Sequence, residues 1–517
     1  MAGQPKVSLA QLLETAGTYL PAKALETIKS AYRFAELAHA DQRRSSGEAF
    51  INHPLVTACL LADYHLDEAT LAAALLHDIA EDTTIDLREI TKQFGSQVAH
   101  LVDGVTKLGR IHLKTSWQTA YRGYHTNHGG ENFEAFDRHV ETLRKMFLAM
   151  SRDIRVTLIK LADRLHNMET LDALPNQRQR RIAKETLELY APLANRLGMG
   201  EIRGRLEDLA FPYAHPEDYR RLKTTLGNEI QRQNRSLERI RRVLLKRLIN
   251  HGIRAEAHTR VKHIYSLWRK LERFDGDLAK IYDLVAARVI VPTPEDCYRV
   301  LGIIHQMWKP LPGRIKDYIA TPKPNGYQSL HTTVFAMGGK ITEIQIRTPA
   351  MHHWAELGIA AHWAYKEQTQ NPISQSAKIL ARSSLPKEKL TWLQELARLE
   401  QTGNDPEEWR KGLRLDFFQD RIFVFTPVGD VLDLPKDATP IDVAFAIHSD
   451  LGLHCVGAKA NGKIVPIAHH LQNGDIVEIL TSIKAKPKTD WLQFVTTTRA
   501  RTIIKRTIYG NYDQQHK

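Results

Sequence analysis

Cysteine is scarce in this sequence, and long apolar runs are missing. Its 517 residues contain three cysteines, Cys59, Cys297 and Cys455, far apart along the chain. That spacing excludes a disulfide scaffold and a cysteine zinc site, and it predicts reduced thiols in a cytoplasmic protein. No stretch reaches bilayer-spanning length, so no membrane span is expected. The N-terminus, MAGQPKVSLAQLLETAG, lacks a basic head followed by an apolar stretch, so no secretory leader is expected. Acid is the scarcer charge: 72 lysines and arginines face 59 acids, a net charge of +13. Such a balance suits anionic partners, nucleotides or RNA, and does not choose between them. The length is too great for one core and implies roughly two to four domains.

What is present begins with helices. Residues 24–107 carry apolar residues at helical spacing with little β-branched crowding, as in Leu71-Ala-Ala-Ala-Leu-Leu76. HDIAED, His77 to Asp82, falls inside that pattern, with His77 and Glu81 four apart and Asp78 and Asp82 four apart. Acids and a histidine directly after an apolar run are costly to bury without a cation or partners. Farther on, an apolar helix from Val156 again reaches a carboxylate, Asp163, with His166 and Asn167 behind it. One His-Asp pair is ordinarily structural. The set His53, His77, Asp78 and Asp163 is a ligand mix suited to Mn²⁺, Fe or Zn²⁺. Such a site activates water for phosphoester hydrolysis. Glu81 and Asp82 stand where that water would be positioned or deprotonated, and Arg43 and Arg44 are candidates for holding a phosphate. Between residues 112 and 140, His112, His125, His128 and His139 are irregularly spaced around Gly129-Gly130. That segment reads as a surface insertion.

From about 180 to 250 the chain reads as basic helix, with an apolar stripe of Leu237, Ile240, Leu244 and Leu248 closed by Gly252. A strand is expected over 253–258, then a helix start bearing Arg260, Lys262, His263, Ser266 and Lys270, where free backbone N–H groups would form an anion site. Asp283 opens the most strand-like run, which ends at Val291. A helix is expected from Pro294 to Trp308, and another from Met351 to Lys366 holding His352, Glu356 and His362 in packing roles. Between them lies RIKDYIATPKPNGYQSLH, Arg314 to His331, where cations surround prolines, a glycine and Tyr327. A rigid basic loop with an aromatic suits a phosphorylated ring, charge on phosphate and stacking on base. Ile341 to Arg347 alternates, Ile344 and Ile346 on one face and Glu343, Gln345 and Arg347 on the other. Alone it is equally a solvated strand face; beside the basic loop, the carboxylate suggests a metal-assisted nucleotide site.

The motifs HDIAEDT, KLADRLHNMETL, YDLVAARVIV, RIKDYIATPKPNGYQSLHTT, EIQIRT and GIAAHWAYK together resemble the RelA/SpoT-homologue family, from about residue 25 to the end. The resemblance implies an all-α HD-type hydrolase over 1–195, removing the 3′ pyrophosphate of (p)ppGpp with Mn²⁺ held by His53, His77, Asp78 and Asp163. Glu81 and Asp82 would serve the water, and Arg44, Asn167 and Thr170 would contact the nucleotide. It implies an α/β synthetase over 196–370, a nucleotidyltransferase-like mixed sheet moving pyrophosphate from ATP to the 3′-hydroxyl of GDP or GTP. There Asp283 and Glu343 would hold Mg²⁺, with Glu343 also helping to deprotonate the hydroxyl. Arg260, Lys262, Ser266 and Lys270 would line the ATP side. Tyr327 would stack on guanine, with Lys316, Lys323, Asn325, His331 and Gln345 around it.

A helical connector is expected over 371–415. Over 416–482 the pattern, with FVFTPVGDV and NGDIVEILTS, resembles a β-grasp TGS domain, which in the family meets the ribosome and the tRNA acceptor end. His448 and Lys459 are its contact candidates, with packing the alternative for His448. A basic segment, 483–517, follows. Longer family members continue into further regulatory domains. The basic Arg314-Ile-Lys316-Asp317 loop is similar to that of bifunctional members, whereas Ser45 stands where the family pattern has lysine. The expected protein is therefore multidomain and bifunctional, with a nucleotide-biased switch between its activities. A mainly hydrolytic enzyme and a ribosome-binding regulator with vestigial sites are the alternatives.

Overall fold

Ser8 begins the first helix by a reciprocal cap: the Gln11 backbone N–H donates to Ser8 Oγ at 3.3 Å, and the Ser8 N–H donates to Gln11 Oε1 at 3.1 Å. The computed structural model describes residues 7–113, 153–261, 263–273, 285–323, 325–361 and 421–509. They divide into two units, Met1–Gln394 and Glu395–Lys517.

The first unit opens with helices α1 (Leu9–Gly17), α2 (Ala22–Ala38), α3 (Asn52–Asp63), α4 (Glu68–Leu76), the short α5 (Ile79–Asp82) and α6 (Leu87–Leu113). In α4 every residue from Thr70 to Leu76 is buried. Each such leucine contributes about 1.5–3 kcal/mol by leaving water, and the helix is thereby fixed at the centre of the bundle. Sequence periodicity carries this helix through HDIAED; the structure ends it at Leu76. His77 is its C-cap, and Asp78 begins a separate turn. The break aims His77 and Asp78 toward one point instead of onto neighbouring faces of a single rod. The second half of the bundle is α7 (Arg155–Glu169), α8 (Asn176–Glu185), a π-helical turn over Thr186–Tyr190, and α9 (Ala191–Arg196). The insertion, with His125, His128 and His139, lies outside the described residues.

Helix α10 (Gly200–Ala214) packs against α7 and α8 on one side and against α12 (Ile264–Arg273) on the other. After α11 (Pro216–Asn250) comes a five-stranded sheet in the order β1-β2-β5-β4-β3. Its strands are β1 (Glu256–Val261), β2 (Val285–Ile290), β3 (Lys316–Asp317), β4 (Leu330–Phe335) and β5 (Ile341–Arg347). Strands β2 and β5 run parallel and the other pairs antiparallel, so the sheet is mixed. One face buries Ala287, Val289, Ile344 and Ile346 against the stripe of α11, Leu237, Ile240, Leu244 and Leu248, and against α13 (Pro294–Met307). Strand β1 starts at Glu256, later than the expected 253, because Gly252 (φ +70°) and the turn after it lead the chain to the sheet edge. Helix α14 (Pro349–Leu357) does not run on unbroken as expected: helical backbone resumes only at Ala360, and residues 362–366 lie outside the described residues. It stops at Gly358 (φ +58°), whose Cα side is pressed against the backbone of Leu197 and Gly198; a side chain there would strike main chain.

The second unit pairs β6 (Arg421–Phe425) with β7 (Val431–Pro435), and β8 (Cys455–Ala460) with β9 (Lys463–Val465) and β10 (Val477–Thr481). Helices α15 (Pro440–Ile447) and α16 (Ser449–Leu453) cover them. The basic segment was expected as a separate piece, yet its helix α17 (Thr498–Tyr509) completes this core. Ala500 and Ile504 are fully buried against Phe445 and Trp491. Asp442, also fully buried, accepts from the backbone N–H groups and hydroxyls of Thr496 and Thr497. His448 is exposed and caps α16 through Nδ1, so the packing role is corrected, and Lys459 pairs with Glu478 at 3.2 Å. No helix among the described residues is long and apolar enough to cross a membrane.

Candidate active sites

Four sequence candidates meet in the helical bundle. His53 enters from the first turn of α3, His77 and Asp78 from the break after α4, and Asp163 from the middle of α7. His53 Nε2 lies 3.2 Å from Asp163 Oδ1 and 3.6 Å from Asp78 Oδ2. His77 Nε2 lies 3.1 Å from Asp78 Oδ1. The ligand atoms of His53, His77 and Asp163 all fall within 4.8 Å of one another, and all three residues are buried.

The donor set fits a divalent cation. His77 Nδ1 faces the Ala74 carbonyl at 2.8 Å, and a carbonyl only accepts, so the ring proton sits on Nδ1. Nε2 then turns a lone pair toward carboxylate oxygens. It is buried and makes no hydrogen bond. Lone pairs converging in a dry site require a positive charge between them.

Around the ligands, Lys160 Nζ holds the other Asp163 oxygen at 2.7 Å. Burial alone would raise the Asp163 carboxyl, but Lys160 and His53 outweigh it and hold it well below the usual range. Burial, reinforced by Asp78 and Asp82, pushes Glu81 up to about 7, and it raises Asp82 as well. Arg44 is half-buried and turned inward. Its guanidinium lies 3.1 Å from His53 Nδ1 and 3.3 Å from His166 Nδ1, and it donates to Asn167 Oδ1 at 2.5 Å. Asn167 in turn donates to Asp163. Thr170 caps α7 with its hydroxyl on the His166 carbonyl. Lys160 and His166 were not among the predicted site residues. Their signal was positional: each stands three residues from Asp163 on one helix, which brings it to the same face.

The second cluster lies on the sheet face opposite the α11 stripe. Pairing places Arg260, Ala286, Glu343 and Thr333 in one row across β1, β2, β5 and β4. Two residues along, His258, Arg288, Gln345, His331 and Lys316 form a row across all five strands. Rows two apart share a face, so Glu343, Gln345, His331 and Lys316 lie on one side of the sheet. Glu343 Oε1 accepts from Gln345 Nε2 at 2.9 Å and lies 3.3 Å from His331 Nδ1. His331 Nε2 meets the Tyr327 hydroxyl at 2.8 Å. Lys323 Nζ sits 4.7 Å above Tyr318 and 5.5 Å from the Tyr327 ring; burial, then Lys316 and Arg203, lower its pKa. Arg347, taken from the alternation as outward-facing, is fully buried. Its guanidinium lies 5.8 Å from the Tyr327 ring, so this face is covered and is not a solvated strand. Asn325 uses its amide within the loop and on the Asn195 carbonyl. Arg288, missed in the sequence, pairs with Glu356 at 2.9 Å; an arginine within an otherwise apolar strand was its signal. Tyr318, four residues after Arg314 in the same loop, also belongs to the cluster, its ring edge-on to His331 at 5.3 Å.

The start of α12 departs from expectation. Its first N–H groups are not all open: the Tyr265 N–H donates to Asp208 Oδ1 at 3.1 Å, and Asp208 Oδ2 lies 2.8 Å from His263 Nδ1. Ser266 donates to Glu207 at 3.2 Å. Acids of α10 thus stand where an anion was expected, and a helix N-terminus attracts them for the same reason. Lys270 follows on α12, half-buried. Asp283, Lys262 and His362 lie outside the described residues, as does the 371–415 connector.

A helical bundle with an HD site, a mixed sheet with a basic acceptor loop and a small β-grasp unit define a multidomain protein of nucleotide chemistry. Three family patterns match along it: the HD domain over residues 31–200, the region found in RelA / SpoT proteins over 259–370, and the TGS domain over 422–481. The chain is 45% identical over 491 residues to a GTP pyrophosphokinase of Myxococcus xanthus, covering 95% of this chain and 61% of that protein. To a guanosine-3′,5′-bis(diphosphate) 3′-pyrophosphohydrolase of Aquifex aeolicus it is 44% identical over 506 residues, 97% of this chain and 67% of the relative. To the bifunctional (p)ppGpp synthase/hydrolase SpoT of Escherichia coli it is 42% identical over 501 residues, again 97% and 67%. The chain belongs to the RelA/SpoT family, and it spans about 61–67% of the length of these relatives.

Proposed function

We propose that this chain both makes and destroys (p)ppGpp, at two separate sites, in the cytoplasm. The observation that carries the hydrolytic half is the convergence of His53, His77, Asp78 and Asp163 on one point, with the His77 lone pair aimed into it. These four would hold Mn²⁺, which supplies Lewis acidity toward water and phosphate when bound. Glu81 and Asp82 flank the point. With its carboxyl near 7, Glu81 exchanges a proton readily at neutral pH. Arg44, Asn167 and Thr170 would hold the nucleotide, Arg44 neutralising phosphate while keeping its contact with Asn167.

For synthesis, Glu343 with Asp283 would hold Mg²⁺, which supplies charge neutralisation on the transferring group. Arg260, Lys262, Ser266 and Lys270 would receive the phosphates of ATP. Tyr327 stacks on the guanine of GDP or GTP, and Lys316, Lys323, Asn325, His331 and Gln345 surround it. Glu343 takes the proton from the 3′-hydroxyl as it attacks the β-phosphorus of ATP, releasing AMP. Ser266 donates to Glu207, so that hydroxyl would have to leave its acid to meet a phosphate of ATP. Nucleotide occupancy would tip the balance between the two activities. The TGS domain, with His448 exposed, would meet the ribosome and the tRNA acceptor end.

The test resolves nucleotides after two incubations, with ATP, GDP and Mg²⁺, and with ppGpp and Mn²⁺. Expected products are ppGpp plus AMP in the first and GDP plus pyrophosphate in the second. Unchanged nucleotides in both would overturn the reading.

A further inference from the structure

Tyr327 reads in the sequence as a stacking ring, and its hydroxyl is engaged as well. It meets His331 Nε2 at 2.8 Å, and the other ring nitrogen, Nδ1, lies 3.3 Å from Glu343 Oε1. An ionised carboxylate only accepts, so the His331 proton sits on Nδ1 and points at Glu343. Nε2 is then the bare acceptor, and the tyrosine hydroxyl donates to it. His331 itself is clamped. It sits on β4 between Lys316 and Gln345 in register, with the Tyr318 ring edge-on at 5.3 Å. Gln345 donates to the same Glu343 oxygen. The carboxylate is therefore fixed from two sides, and one of those sides ends at the ring on which the acceptor base would lie.

We propose that the Tyr327 hydroxyl, acting through His331, positions Glu343, so that seating the purine on Tyr327 and aligning the carboxylate with the 3′-hydroxyl are one event. This rests on the synthetase reading above. Tyr327 is thus a positioning residue as well as a stacking surface, and its two roles separate experimentally.

Steady-state synthesis from ATP and GDP with Mg²⁺ is measured for the intact chain and its variants. Tyr327→Phe keeps the ring and loses the hydroxyl: kcat should fall roughly tenfold while the KM for GDP stays within about twofold. Tyr327→Ala should raise that KM as well. His331→Ala should lower kcat at least as far as Tyr327→Phe, and adding Tyr327→Phe to it should cost little more, because one path is already cut. His331→Asn, whose amide replaces the Nδ1 donor, should recover part of the rate lost in His331→Ala. Wild-type kcat in Tyr327→Phe, or a change confined to KM, would overturn the proposal. So would His331→Asn no faster than His331→Ala. Absence of product from the wild-type chain would instead overturn the synthetase reading itself.

Discussion

Asp67 joins the starts of two helices to Arg155. Its Oδ1 accepts from the Thr70 N–H at 2.9 Å, capping α4, while its Oδ2 lies 2.6 Å from Arg155 Nη1 at the start of α7. Both side chains are largely buried. Helix α4 ends at His77 and α7 carries Asp163, so this pair sets the distance between the two halves of the metal site. Replacing Asp67 with alanine removes a cap and one of the two carboxylates on Arg155, whose Nη2 keeps Asp153 at 2.6 Å, at a cost of about 1–2 kcal/mol. The melting temperature should fall by several degrees, and Mn²⁺ binding by calorimetry should weaken. A variant that melts and binds like the wild type would contradict this role.

Gly358 tests the junction between bundle and sheet. A Cβ added there would lie 2.3 Å from the Leu197 carbonyl oxygen and 2.5 Å from the Gly198 carbonyl carbon. Neither atom belongs to a flexible side chain, and φ is +58°. Gly358→Ala should therefore cost more than the roughly 1 kcal/mol of an unfavourable backbone angle alone. Chemical denaturation of the variant would show this as a lowered midpoint. Gly302→Ala, where nothing lies within 4 Å of the added carbon, is the control and should lose little.

Acid should destabilise the first unit through its half-buried histidines. Burial lowers the pKa of His65, His305 and His353 below the ordinary 6.5, with His65 itself adding to the effect on His353. Below pH 6.5 the unfolded chain takes up protons that the folded chain refuses, so stability falls as pH drops through that value and is fully present above it. Melting scans from pH 8 to pH 5.5 should show the decline. A flat profile would mean these rings take up their protons in place.

Much of this protein was legible in its sequence because its chemistry is written in short runs. Asp163 lies on a helix and His77-Asp78 directly after one, both helices apolar enough to be read in the sequence, and the alternation of β5 puts Glu343 and Gln345 on the face opposite Ile344 and Ile346. What escaped depended on contacts remote in sequence. Arg347 follows the outward phase of β5, yet loop residues fold back over it and bury it. The start of α12 reads as an open anion site until α10 brings Asp208 to it. Helix α17 reads as a basic tail because its arginines outnumber the two fully buried positions, Ala500 and Ile504, that dock it. The break after Leu76 was hidden because the apolar period runs on unaltered through it.

Asp442 offers a test of that docking. It is fully buried and accepts from four donors on Thr496 and Thr497, besides those of Thr439. Asp442→Ala leaves these donors without an acceptor in a dry site, at about 3 kcal/mol or more. Helix α17 should then become protease-sensitive. Cleavage within Thr498–Tyr509 no faster than in the wild type would contradict the anchoring role.

The central claim is that two independent sites perform opposed reactions, and crossed single substitutions test it most directly. Glu343→Gln and Asp78→Ala are each assayed for synthesis with ATP, GDP and Mg²⁺, and for hydrolysis with ppGpp and Mn²⁺. The account predicts that Glu343→Gln loses synthesis by at least about a hundredfold with hydrolysis retained, and that Asp78→Ala does the reverse. Loss of both activities from either single change, in protein that still melts cooperatively, would contradict it.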